Sequence, residues 1–586
     1  MNKLTIYYFL LLLQVLLAIN EINGQTTKNF FYHERAYLQV DRDIYVAGEN
    51  LFFKLYLFNS LTNKHIVQSR FAYLVLRNAQ NTVITGIQLK LENSMSSGSI
   101  YLPDTLSTGS YQLVSYTNCM RNYGEESFFT RGILIVNRFD KELNKITNQF
   151  GAGNTLPLKG STASKETRNK TIITLIPEKN NYLKREKIRI GLEATGMSTE
   201  TKADLSISVC EATPISNDET SISSCFKDTA TIGSDKNLNC IYFPEIKGAI
   251  LQGKIINPEN RQPISNTTVF LSSPDTIENL QLNQTGSSGD FCFLLNSYYN
   301  DKELFLRLPK NQKAKIELDN KFEIKKPFKP NIYYPDSSFK KYLLKSQNIV
   351  QVQKTYHSEM QKELPVIKTT QELPPLVYPP VLNSIYPADF VELHDFVEIS
   401  REILPLLKIR KRHNQYVANM LIENERQFYD FPPLIFLDGV PIDDINQVIS
   451  LGSEKVKRIE TIGSKRYYGD LYFYGILAVF SKTMEINNVA WTTPTISVKS
   501  TSNQLFLKPL QPDYSEFGRN SKYIPDFRQL LYWEPNFSLK GGEKKYIEFY
   551  ASDNTGEFDV KVEGMVIDGA PVCARIRIKI MSNITR

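Results

Sequence analysis

Histidine is scarce in this 586-residue chain, with five in all, and tryptophan is scarcer, with two. His33, His65, His357, His394 and His413 fall in no HExxH or HxH spacing, so a zinc-hydrolase ligand set has no framework here. There is no GxSxG elbow, no P-loop and no GxGxxG after a strand, which removes the motif-borne hydrolases, nucleotide hydrolases and dinucleotide enzymes. The six cysteines, Cys119, Cys210, Cys225, Cys240, Cys292 and Cys573, form no CxxC pair. Cys119 and Cys292 lie in apolar, strand-like text, where a buried thiol is expected; any disulfide is sought among the central three. An excess of charge of one sign is also lacking. The 69 basic and 62 acidic residues leave +7 with no concentrated stripe, so nucleic acid is not an expected partner.

Aromatic residues are abundant: 32 Tyr and 33 Phe against 9 Met lean toward sheet rather than helix. The length predicts roughly three to six domains. Lys3 precedes an apolar run over Leu4–Ile19, and Gly24 offers a small residue before Gln25, so residues 1–24 read as a signal peptide and the chain as exported. The first cysteine is Cys119, which leaves no thiol for lipid attachment at the new amino terminus. Beyond the leader no segment has the ~20 apolar residues of a membrane-crossing helix.

The rest divides by turn residues and hydrophobic period. YLQVDRDIYVAGENLFFKLYL and the short strands after it predict a β-sandwich over 30–138, followed by a polar linker, Lys141–Lys170. Tyr45, Glu49, Leu51, Phe53 and Leu55 then match Tyr182, Glu186, Ile188, Ile190 and Leu192 without a gap. This internal repeat predicts a second sandwich of the same type over 171–247. A third β unit is expected over 248–308 and a linker with one helix, around Ser338–Glu363, over 309–385. PPLIFLDGVPIDDINQVISL, VKRIETI and YGILAVFS predict a small α/β unit over 386–483, with a turn at Asp438-Gly439 and a short helix from Ile445 to Leu451. Renewed alternation predicts a closing sandwich over 484–586. The fold class is mainly β, tandem sandwiches with one small α/β domain.

Candidate chemistry is thin. Glu392, Glu398 and Glu402 near His394 fit a solvated helix face better than a metal site. Ser288-Gly289-Asp290 reads as a hairpin turn, and Asp438 as the side chain that caps its own turn. Asp526, Arg528, Tyr532 and Trp533 suggest a buried ion pair beneath an aromatic lid, with a partner patch as the alternative. No catalytic residue, cofactor or metal ligand is expected.

YLQVDRDIYVAGENLFFKLYL with GSIYLPDTLSTGSYQLVSYTNCMRN resembles the macroglobulin-type domain of Bacteroidota envelope proteins, and DFRQLLYWEPNFSL with IEFYASD its closing domain. GKIINPENRQPISNTTVFL with TGSSGDFCF resembles the carboxypeptidase-regulatory-like sandwich. PPLIFLDGVPI, VKRIETIGSKRYYG and YGILAVFSK are similar to the plug domain of TonB-dependent receptors. Asp104-Thr105-Leu106, Asp228-Thr229-Ala230 and Asp275-Thr276-Ile277 resemble the O-glycosylation motif of the same bacteria. No Cys-Gly-Glu-Gln thioester run occurs, and about a hundred residues follow Phe480 where a roughly 22-stranded barrel needs over 200. The resemblance therefore implies neither a protease trap nor a transporter. It implies a non-enzymatic accessory or scaffold protein, in the periplasm or at the outer membrane, that binds a protein such as a TonB-dependent transport or secretion assembly. The alternative is a glycan- or peptide-binding module of a nutrient-uptake system.

Overall fold

The computed structural model describes residues 34–60, 62–65, 68–140, 172–213, 221–225, 241–276, 279–309, 313–328, 330, 337–355, 384–422, 425–468, 471–500, 507–515 and 524–582. The predicted leader and the linker Lys141–Lys170 lie outside them.

The first sandwich packs a three-stranded sheet, Glu34–Val40, Asn50–Asn59 and Met95–Tyr101, on a five-stranded one built from Ile44–Val46, Phe129–Val136, Gly109–Tyr116, Phe71–Asn78 and Val83–Lys90. Asn50–Asn59 is the informative strand. Its odd positions, Leu51, Phe53, Leu55 and Leu57, enter the core of this sandwich. Each such side chain contributes about 1.5–3 kcal/mol by leaving water. Its even positions, Phe52, Lys54, Tyr56 and Phe58, are buried as well, against the second sandwich.

That second sandwich corrects the predicted domain order. Ranges 171–247 and 484–586 were expected to hold two separate sandwiches, whereas Ile172–Pro177, Asn181–Leu183, Lys187–Thr195 and Lys202–Glu211 combine with Leu530–Lys540, Lys544–Tyr550, Gly556–Val566 and Pro571–Met581 into one. Lys202–Glu211 sits between Leu530–Lys540 and Gly556–Val566, antiparallel to both. A single core, with Leu192, Ile207, Leu539, Val560 and Ile578, joins the two halves. The reason is pairing capacity: 172–211 supplies too few strands to cover its own apolar faces, and alternation along a sequence does not name the partner strand.

The sequence repeat has a structural counterpart. Ile44–Val46 pairs in parallel with Phe129–Val136, and Asn181–Leu183 pairs in parallel with Pro571–Met581. Val46 N–H donates to Glu49 at 2.7 Å, and Leu183 N–H donates to Glu186 at 2.6 Å. The matched Tyr-x-x-x-Glu thus forms the same turn in both sandwiches.

The intervening chain forms two further units. Ala249–Ile256, Asp290–Leu295 and Lys315–Leu318 face Thr268–Ser272, Gln281–Gln284, Glu303–Arg307 and Thr495–Lys499 in a third sandwich. It extends past the predicted boundary at 308 and takes its last strand from the range predicted for the closing domain. The α/β unit holds the sheet Leu434–Leu437, Val440–Ile442, Val456–Ile462 and Ile476–Ser481, the helix Phe396–Ile403 and the hairpin Leu407–Arg412/Gln415–Met420. The helix expected from Ile445 to Leu451 is one 3₁₀ turn, Ile445–Gln447, capped by Asp444; Val448 and Leu451 are buried from a turn instead. The linker helix is Ser337–Thr355, and it lays Phe339, Tyr342 and Leu343 on Ile44, Leu134 and Val136 of the first sandwich.

Polar side chains lock these units together. Between the sandwiches Tyr37 donates to the Glu563 carboxylate, Tyr56 meets Ser206 at 2.7 Å, and Lys54 donates to Asn536 at 2.6 Å. Between the first and third sandwiches Glu245 accepts from Tyr73 at 2.7 Å and from Lys321 at 2.8 Å, while Arg121 pairs with Asp319. Burial pushes Lys54 down to about 8 and Asp41 up to about 6, the latter against the opposing pull of Arg42. Burial also raises the carboxyls of Glu34 and Glu563.

Two outcomes are expected. In a chain ended at residue 500, amide exchange should reach unfolded rates across 172–211 and stay slow across 50–59 and 71–78; protection of both regions would refute the split sandwich. The second concerns acid. Asp41, Glu34 and Glu563 bind protons more tightly when folded, so their contribution is complete below the ordinary carboxylate range and is lost as pH rises, through about 6 for Asp41. Asp319 and Asp559, which burial raises but their arginine partners lower further, weaken the fold only below about pH 4. His65, whose imidazole burial lowers, pulls the other way over the same range, so the Asp41 share is read by difference: Asp41→Asn should lose about 1 kcal/mol of the stability at pH 5 relative to pH 7, by thermal unfolding of both proteins; the same pH dependence in the two proteins would contradict this.

Candidate interaction surface

Several residues singled out from sequence have local structural partners. Asp395 caps the helix Phe396–Ile403 by accepting from Glu398 N–H, and the Glu398 carboxylate reaches back to accept from the N–H of His394, the residue before the cap, at 2.8 Å. Glu402 pairs with Arg401. His394 and these carboxylates do not converge, and no group of three His, Cys, Asp or Glu among the described residues is placed to hold a metal. Ser288-Gly289-Asp290 forms a turn, with Gly289 at φ 70°. Asp104 pairs with Lys354 and Asp275 with Lys302, while Asp228 lies outside the described residues. Cys119 is buried as expected, whereas Cys292 is exposed, because it falls on the outward side of the alternating strand Asp290–Leu295. Cys210, Cys292 and Cys573 are free thiols; Cys210 is buried beside Trp533, where burial pushes its thiol up to about 11. The side chain of Cys225 and all of Cys240 lie outside the described residues.

Asp438 and Gly439 have φ of 48° and 81°, the left-handed pair of a type I′ hairpin between Leu434–Leu437 and Val440–Ile442. The buried Asp438 carboxylate accepts from Ser481 N–H at 2.6 Å, from the Ser481 hydroxyl at 2.8 Å and from Ile486 N–H at 3.1 Å. It fastens the end of the central strand to the hairpin. Asp526 and Arg528 form the expected buried pair at 2.9 Å, but the aromatic over it is Tyr514, which donates to Asp526 at 2.6 Å. Trp533 packs elsewhere, against Phe52 and Leu530 between the sandwiches.

A groove of about 430 Å³ opens on the α/β unit, lined by Leu437, Asp444, Asn446, Lys455, Glu485 and Asn488 among others. Its carboxylates serve local turns: Asp444 caps Ile445–Gln447, and Glu485 accepts from Thr483 and Asn488.

What remains for recognition lies on the same unit and was not anticipated. The run KRYYGDLYFY folds into the small hairpin Arg466–Tyr468/Leu471–Phe473, in which Tyr467 faces Tyr472. Their rings are 6.1 Å apart; Tyr472 meets Tyr474 edge-on at 5.5 Å, and Tyr474 stacks on Phe431 at 4.9 Å. Lys465 stands 5.0 Å over the Tyr474 ring. Tyr467, Tyr472 and Phe431 keep 68%, 52% and 58% of their surface in water. This is a connected strip of rings rather than scattered exposure. Beside it stands the Leu407–Arg412/Gln415–Met420 hairpin, whose inner face, Leu407, Ala418 and Met420, is buried and whose outer face carries the exposed Lys408, Arg410 and Arg412. The two features meet where Asn419, cross-strand from Lys408, donates to the Tyr429 carbonyl and Lys408 lies over the Phe428 ring. Sequence signals existed for both, the aromatic run and KIRKRH, but neither follows a helical or strand period that would mark it as exposed.

No family model matches the chain, and no curated protein matches it. Solved structures do. Salmonella alpha-2-macroglobulin reacted with methylamine is 9% identical, over 94% of this chain and 40% of that one, at a TM-score of 0.24. Escherichia coli alpha-2-macroglobulin activated by porcine elastase is 8% identical, over 94% and 44%, at 0.23. The chain spans less than half the length of these proteins, and at such TM-scores no residue correspondence is drawn.

Replacing Asp438 by Ala should destabilise the α/β unit by about 2–4 kcal/mol, since three buried donors lose a charged acceptor and an alanine is forced to positive φ. Tyr467→Ala should leave stability within about 0.5 kcal/mol. Urea unfolding read by near-ultraviolet circular dichroism checks both, and equal losses would contradict the division into structural and presented residues.

Proposed function

We propose that this chain is an exported, non-enzymatic binding and scaffold protein of the cell envelope, in which linked sandwiches hold the α/β unit toward an outer-membrane or periplasmic protein, such as a TonB-dependent transport or secretion assembly. One observation carries the reading: the ionisable groups singled out from sequence are tied into caps, turns and inter-unit locks, while exposed rings and cations gather on the α/β unit. A surface of rings with cations at its margin is the composition that protein interfaces favour at their centres. Export and envelope location rest on the amino-terminal apolar run; among the described residues no helix is long and apolar enough to cross a membrane.

The second reading, a glycan-binding module feeding nutrient uptake, is favoured by the same strip, because aromatic ring faces take up the apolar faces of sugars. The observation that favours it lies on the α/β unit and not on a sandwich.

Cross-linking in intact cells, followed by recovery from outer-membrane fractions, should yield one reproducible protein partner that is lost in Tyr467→Ala/Tyr472→Ala. Recovery of the protein alone in repeated trials would sink the scaffold reading. Binding on a glycan array that depends on the same two tyrosines would replace it by the second.

A further inference from the structure

Resting on the protein-binding reading above, we infer that the outer edge of the Leu407–Arg412 strand is an acceptor for an extended, acid-rich segment of a partner protein, bound by strand addition.

Three observations on the hairpin lead there. His413 and Asn414, at φ 45° and 63°, form a type I′ turn, so Arg412 and Gln415 close the ladder as a hydrogen-bonded pair. Alternation then makes Arg410 with Val417 and Lys408 with Asn419 the other bonded pairs, and turns the backbone N–H and C=O of Ile409 and Lys411 outward. The opposite edge behaves as this register requires. There the outward groups of Tyr416 are taken by one side chain, since Asn446 Oδ1 accepts from Tyr416 N–H at 2.9 Å and Asn446 Nδ2 donates to the Tyr416 carbonyl at 3.1 Å. That edge is capped at Tyr416, whereas the edge at Ile409 and Lys411, among the described residues, has no third strand: the hairpin is a two-stranded sheet.

The third observation names the occupant. Lys408, Arg410 and Arg412 recur every second residue on the outward face, spanning about 13 Å. None of them has a carboxylate partner among the described residues, although ion pairs are plentiful in the rest of the chain. A lysine on an edge strand is enough to discourage self-association. Three unpaired cations in register with the ladder also define a complementary strand. An added segment with Asp or Glu at alternate positions would set its carboxylates about 4.5–5.5 Å across from them, while its backbone bonds Ile409 and Lys411. Along the chain the acids closest to this strand are Glu402, which pairs with Arg401, and Glu423, which lies outside the described residues.

The probe is a fluorescein-labelled ten-residue peptide alternating Glu with Thr, titrated into the purified protein and read by anisotropy. Saturable binding is expected, weakened at least about tenfold in Lys408→Glu/Arg410→Glu/Arg412→Glu, with the thermal midpoint of that variant unchanged. The same peptide N-methylated at alternate residues, in either register, should bind at least about tenfold more weakly in one register, since backbone donors are removed and charge is kept. Equal binding of both methylated peptides would overturn strand addition, and equal binding by the triple variant would overturn the site. Capture of phosphatidylglycerol vesicles without capture of the peptide would assign the row to lipid and also overturn it. A partner still recovered by cross-linking from cells carrying the triple variant would leave the scaffold reading standing while this inference fails.

Discussion

The structure depends on one strand finding partners made much later in synthesis. Lys202–Glu211 is an inner strand of the five-stranded sheet of the second sandwich, and both its neighbours come from beyond residue 529. Until Leu530–Lys540 and Gly556–Val566 exist, its backbone groups on both edges and its apolar face, Leu205, Ile207 and Val209, stay in water. Loop-closure entropy rises only slowly with loop length, so holding the long intervening chain as an insertion costs little at equilibrium. Its cost is kinetic, because non-local pairing forms late.

The insertion leaves and returns at one point. Glu211 N–H donates to the Gln529 carbonyl at 2.8 Å, and the Gln529 side chain donates to Glu211 and to Ser346 of the linker helix. The described chain between them forms a lobe that leaves and returns at this gate and is fastened sideways to the first sandwich by Glu245, Arg121 and the helix Ser337–Thr355. Such arrangements add function without disturbing the parent fold, since adjacent ends ask nothing of the strands that hold them. The α/β unit is in turn held by the third sandwich: Arg307 pairs with Asp443 at 2.9 Å, and the strand Thr495–Lys499 returns to the sandwich sheet. The presented rings and cations thus sit on a support whose polar groups are largely spent on holding it.

Much of this was legible locally. Alternation in NLFFKLYLFN marks a strand, the Asp438-Gly439 pair marks a hairpin, and the Tyr45/Tyr182 register marks a repeated turn, each because the cause lies within a few residues. The even positions of the same strand show where local reading stops. Tyr56 and Phe58 look like an outer face and are buried, because a second sandwich covers them. The short 3₁₀ turn in place of a helix at Ile445–Leu451 has the same origin: burial of Val448 and Leu451 is achieved without a helical ladder.

By itself, the sequence determined the strand-rich class, the positions of strands and turns, the repeat and the absence of motif-borne chemistry, all of which follow from side-chain period, backbone permissiveness and residue inventory. Only the tertiary structure decided which strands share a sheet, that two apparent sandwiches are one, and that rings and cations come together on the α/β unit. Pairing is a choice among edges that are chemically alike along the chain; it is settled by which apolar faces are left to be covered once every other unit has closed.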